Sequence, residues 1–115
     1  MIDYNKELVS ALNTVLPTHH ELALTSKETT PCISYQERNN YASDTGDTLG
    51  YSYISYTVKV WSTSIADLQT YSLKIDNALR TLGFKRISTS ELSDKNSLMK
   101  QKILTYEALA SENFN

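Results

Sequence analysis

Apolar residues fall at two different periods along the chain, and the change of period marks the elements. Tyr4, Leu8, Ala11, Leu12 and Val15 recur at helical spacing and Pro17 stops them, which predicts an amphipathic helix over Tyr4 to Leu16 with Asp3 as its N-cap. Glu21 to Leu24 and Pro31 to Gln36 read as short strands joined by a polar turn. From Thr48 to Trp61 the period is two: Ser52, Ile54, Tyr56, Val58 and Val60 share one side, and Tyr51, Tyr53, Ser55, Thr57, Lys59 and Trp61 share the other. The first set is the expected core face. Helical spacing returns after Ser64, whose hydroxyl with Asp67 three residues on makes a capping-box-like start, and Gly83 supplies a left-handed stop. Ile65, Leu68, Tyr71, Ile75, Ala78, Leu79 and Leu82 form the arc expected to cover a sheet, with Leu73 outside it as a possible contact. A strand follows Phe84, and a last one runs from about Met99 to Leu109, with Leu104, Tyr106 and Ala108 on one side and Ile103 and Leu109 on the other.

The order α-β-β-β-α-β-β predicts an α+β domain: an antiparallel sheet of four to five strands with two helices packed on one face. At 115 residues one domain spanning 1–115 is expected, since two would each bury too little. Arg38 to Gly50, rich in Asn, Asp, Ser, Thr and Gly, reads as a flexible loop, and 111–115 as a disordered tail.

Charge and composition narrow the chemistry. Eleven Lys and Arg against 13 Asp and Glu give a net charge of -2, so no broad positive field draws in a phosphate backbone. The single cysteine, Cys32, allows no internal disulfide and fits a reducing compartment. The opening residues read as neither signal peptide nor anchor, and no run approaches the roughly 20 apolar residues of a membrane span. His19 and His20 are the only histidines; adjacent in a strand they point to opposite faces, with no third ligand to complete a metal site. Cys32 lies in an apolar strand without a placed histidine partner, so it reads as a small buried side chain. Asp44 and Asp47 around Gly46 lack the regular ligands of a calcium loop and read as turn residues. No acid, base, nucleophile or metal constellation emerges, and neither an enzyme nor a cofactor is expected.

Eight tyrosines and one tryptophan suit a protein interface, because these side chains bury large areas with few rotors. Tyr51, Tyr53 and Trp61 form the sticky second face of the Thr48 to Trp61 strand. Either a second layer of the same chain covers them or another subunit does. With both helices claimed by the Ile54, Val58, Val60 side, a neighbouring copy is the expected cover.

The stretch "GYSYISYTVKVWSTSIADLQTYSLKIDNALRTLGFKR", with the opening "MIDYNKELVSALNTVLPT", the "PCISYQERNN" segment and the closing "TYEAL", resembles the tail completion, or tail terminator, proteins of long-tailed bacteriophages. The resemblance covers nearly the whole chain and carries no catalytic signature. It implies an α+β subunit that forms a hexameric ring with copies of itself, caps the tail tube at the tail tube protein, and joins the tail to the head-completion or neck proteins. The implied location is the virion at the head-tail junction, after assembly in the bacterial cytoplasm, with DNA passing through the lumen. A ring needs two different patches per subunit. The Tyr51, Tyr53, Trp61 face and the edge of the final strand at Leu104 and Tyr106 are the expected pair. Arg38, Tyr41, Asp44 and Asp47 are expected on a loop facing the tube or lumen, where the acids would repel DNA. Other readings of the same residues are a head-completion or stopper protein of the neck, and a small-molecule-binding domain whose Tyr and Trp line a pocket.

Overall fold

The computed structural model describes residues 4–21, 30–42, 51–93 and 99–111, with the backbone alone at 41, 42, 51, 93, 110 and 111. Its elements are α1 (Asn5–Asn13), β1 (Thr18–His20), β2 (Cys32–Ala42), β3 (Tyr51–Ser62), α2 (Ile65–Thr81), β4 (Lys85–Ser93) and β5 (Lys100–Ser111). The five strands form one sheet in the order β1-β2-β3-β5-β4. It is antiparallel except for the short pairing of β1 with β2, which is parallel, so the sheet is mixed.

The alternation of β3 is realised in full on one side: Ser52, Ile54, Tyr56, Val58 and Val60 are all buried. Their cross-strand partners Leu104 and Tyr106 on β5, and Ile33 on β2, extend the same apolar surface. Both helices lie on that surface, with Leu8 and Leu12 of α1 and Leu68, Ile75 and Leu79 of α2 in one core. Tyr4, Tyr56 and Phe84 close its end in edge-to-face contacts, ring centroids 5.6 and 5.8 Å from Phe84.

The boundaries of α2 follow its sequence signals. The Ser64 side chain accepts from the Asp67 amide at 3.3 Å. The reciprocal bond is relayed through Ser62, which donates to the Asp67 carboxylate at 3.0 Å and accepts from the Ser64 amide at 3.1 Å. At the other end Gly83 has φ +92°. The Phe84 amide donates to the Leu79 carbonyl at 3.0 Å and the Gly83 amide to that of Arg80 at 2.9 Å, the two bonds of a Schellman stop.

Several boundaries differ from expectation. The first strand is Thr18–His20 rather than Glu21 to Leu24; Glu21 continues it as a short turn, and 22–24 lie outside the described residues. β2 continues to Ala42, so Arg38 to Ala42 are strand and not loop, because β3 is long enough to pair with them through a bulge between Glu37 and Asn39. α1 begins at Asn5 with no side-chain cap bond from Tyr4, and Asp3 lies outside the described residues, as do 43–50 and 112–115. Ile65 is exposed, being the first residue of α2, and the buried arc is turned instead toward Ser72 and Asp76.

An added Cβ at Gly83 meets nothing within 4 Å, so its backbone alone resists substitution. Gly83→Ala should cost about 1–2 kcal/mol, read as a lower urea midpoint at unchanged slope.

Candidate functional site

The far face of the sheet, away from the helices, carries two of the side chains expected at an interface, Tyr53 and Trp61. Along β3 this face presents Tyr53, Ser55, Thr57, Lys59 and Trp61, opposite Leu109, Glu107, Thr105, Ile103 and Gln101 of β5. At one end Tyr53 and Leu109 are directly opposite and remain 39% and 41% exposed. They border a shallow hollow with Asn39, Lys85 and Glu107.

The other end is occupied by the chain itself. The Trp61 indole N–H donates to Ser34 Oγ at 2.9 Å, and Ser34 donates to Glu21 Oε2 at 2.6 Å. Lys59 Nζ sits 2.8 Å from Glu21 Oε1 and 5.9 Å from the centre of the Trp61 ring. Ser34 and Cys32 beneath are buried. Partial burial acts to raise the Glu21 carboxyl, and the hydrogen bonds from Lys59 and Ser34 outweigh it, leaving it below its ordinary value. Trp61 is therefore a member of an intramolecular cluster reaching back to the turn after β1. It was expected among uncovered rings, and Glu21 is the residue that sequence reasoning missed. Its signal was weak, because Glu21 is distant from Trp61 in sequence and sits in a segment read as a strand.

Leu104 and Tyr106 are not at an edge. β5 lies between β3 and β4, and both side chains are buried on the helix side, so neither can meet another molecule. Sequence order places β5 last, but the crossover through α2 sets β4 outside it. The Tyr106 hydroxyl donates to Asp76 Oδ1 at 3.0 Å, and burial foremost, with this bond, pushes its ionisation well above the ordinary 10.0. Arg80 Nε lies 3.1 Å from Asp76 Oδ2 and Arg86 3.5 Å from Oδ1, so one carboxylate ties α2 to β4 and β5.

Arg38 is exposed at the β2 bulge; the Tyr41 and Tyr51 side chains, Asp44 and Asp47 lie outside the described residues. His19 and His20 are half-buried on β1, with the His20 ring edge-on to Tyr35 at 5.2 Å. Among the described residues no group of three or more His, Cys, Asp or Glu is placed to hold a metal, and no helix is long and apolar enough to cross a membrane.

A second exposed region runs along the flank of α2 and β4. Ile65 and Leu73 on the helix are 58% and 67% exposed, and Ile87 and Leu92 on the strand 47% and 54%. Beside Leu73 is an open groove of about 330 Å³, lined also by Arg86, Thr89 and Lys102, where the Ser72 hydroxyl is buried without a hydrogen-bond partner, and Ile65 and Leu92 border a separate hollow.

No protein-family model and no curated protein matches the sequence. Among solved structures, the fold is similar to that of a chain described as "Virion of native gene transfer agent (GTA) particle", with a TM-score of 0.63 at 12% identity, over 90% of this chain and 84% of that one. At that identity the likeness is one of fold.

Two outcomes follow from the clusters. Trp61 is the only tryptophan, so its emission reports on the Glu21 cluster. A lowered carboxyl stabilises above its ordinary value, 4.5, and that contribution is lost as pH falls through the folded value. Trp61 emission should therefore change in acid below 4.5, and Lys59→Met should move the midpoint upward, measured by fluorescence titration. Tyr106→Phe should cost about 1–3 kcal/mol by leaving part of a buried carboxylate unbonded, read from urea unfolding.

Proposed function

We propose that the chain is a structural virion assembly protein which forms a ring, caps the end of a phage-type tail tube and joins the tail to the head. The observation that carries this reading is the fold shared over nine-tenths of the chain with a component of a phage-like particle. The resemblance of the Gly50 to Arg86 stretch to tail terminator proteins supports the finer assignment. In this reading the partners are copies of itself in a ring of six, the tail tube protein, and a head-completion protein. It has no catalytic role and needs no cofactor, and DNA crosses the ring without specific binding.

The end of the sheet at Tyr53 and Leu109 suits an axial contact with the tube. These exposed apolar side chains face each other across β3 and β5, at the end of the sheet where β2 stops and β3 starts. A patch with an apolar centre and polar surroundings is how a protein contact is usually built.

Purified protein mixed with tail tubes and, separately, with DNA-filled heads from the particle that encodes it provides the test by negative-stain imaging. An added disc at one end of the tubes is expected. Tyr53→Asp with Leu109→Asp should abolish it while far-ultraviolet dichroism stays unchanged. Decoration of heads alone would make this a neck protein, and decoration of neither would end the virion reading.

A further inference from the structure

We propose that copies of the chain join edge to edge, the outer side of β4 in one copy taking the second half of β2 from the next, so that their sheets merge into a closed barrel with the helices outside. This rests on the ring reading above and names the seam. Among the described residues three stretches of strand have no strand beside them on one side: the outer side of the three-residue β1, which is too short for a seam, and two longer stretches. β4 is open along its length, and β2 is open from Gln36 onward, because β1 stops at its pairing with Tyr35.

Direction, level and hand all fit this seam. Successive antiparallel pairings make β2 run opposite to β4. Rotation about a ring axis preserves strand sense, so β4 of one copy would meet β2 of the next as an antiparallel pair. The two open stretches sit at diagonal corners: Lys85 to Ser93 stand level with Ser55 to Ser62 of β3, whereas Gln36 to Ala42 stand level with Thr57 to Ser52. Their centres are about four residues apart, so a slide of about four residues per copy aligns them. An even slide keeps each face continuous across the seam. At about 3.3 Å per residue, against four strands about 4.8 Å apart, it tilts the strands by roughly 35°, within the range at which barrels close.

The hand selects the inner face. β3, α2 and β4 form a crossover between parallel strands, and such connections are right-handed in about 98% of cases. Seen from the helix side with β3 pointing up, β4 then lies to the right, the next copy is raised, and the strands lean right of the ring axis. The natural twist of strands closes a barrel with that lean only when it is seen from outside. The helices are therefore outside. Thr57, Lys59, Ser88, Ser90 and Glu107 then line the lumen, with Tyr53, Ile103 and Leu109 of the same face among them. Bulges at Glu37/Asn39 and Arg86/Ser88, on one level of the sheet, add the curvature that closure needs.

The seam also gives the exposed aliphatics a cover. Of the six large hydrophobics exposed among the described residues, Ile65, Leu73, Ile87 and Leu92 lie on the α2–β4 flank. In this register Asn39 faces Ser90, Gln36 faces Leu92 and Glu37 faces Glu91. The last pairing is unfavourable, which gives the register a signed test.

Asn39→Cys and Ser90→Cys in one chain should, on mild oxidation, give a ladder of disulfide-linked multimers ending at the ring, since directly opposed strand residues have the spacing a disulfide needs. Either single variant should give no ladder; Cys32 is buried. The oxidation is run in solution if light scattering shows multimers there, and on decorated tubes otherwise. Multimers or decorated tubes without a ladder overturn the seam and leave the ring reading standing. A chain that neither multimerises nor decorates tubes ends both. Glu37→Lys should tighten assembly by up to about fivefold, and unchanged or weaker assembly contradicts the register.

Discussion

Two helices can cover one face of a five-stranded sheet and no more, and the rest of the molecule follows from that limit. β3 and β5, paired over 12 residues, put Ile54, Tyr56, Val58, Val60, Leu104 and Tyr106 under α1 and α2. The opposite positions must then tolerate water or find cover elsewhere. The chain uses both solutions: Thr57, Thr105 and Glu107 are polar, while Trp61 is held by the Ser34–Glu21–Lys59 group. Among the described residues, what is left apolar and open is confined to the Tyr53–Leu109 end and to the α2–β4 flank.

Asp76 shows how the second helix is locked onto this sheet. A buried carboxylate would be costly alone, but here it takes the Tyr106 hydroxyl and lies beside two guanidinium groups from different elements. The cost of burial becomes an orientation constraint, since α2 can rotate only by breaking the contacts of Asp76 with Tyr106 and Arg86 together, the Arg80 pair being internal to the helix. This is also why the buried arc of α2 is turned toward Ser72 and Asp76, leaving Ile65 and Leu73 on the outer side.

The parts legible in the sequence are those where local chemistry and packing agree. The strict alternation of β3 and the Ser64 and Gly83 signals of α2 each have one interpretation, and the structure has them as read. β1 escaped because three residues, Thr18–His20, are too few to show a period, and β2 was cut short because Arg38 to Asn40 look like a loop until the length of β3 gives them a partner. The interface residues fared unevenly for a topological reason. Alternation says which side chains share a face, not which strand is outermost, so Leu104 and Tyr106 belonged to a central strand and not to an edge. Trp61 was separated from Tyr53 by the ion pair of Lys59 with Glu21, 38 residues apart in sequence, which no periodicity can show.

Cys32 has a further use that comes from its place beneath this corner. As the only thiol, buried on β2 directly across from Trp61, it is shielded from alkylating reagents while this corner of the sheet stays closed. Its modification rate counts the excursions in which that corner lifts away, separately from complete unfolding, so the chain carries its own clock for local opening at the short parallel pairing where the sheet is least extensively bonded.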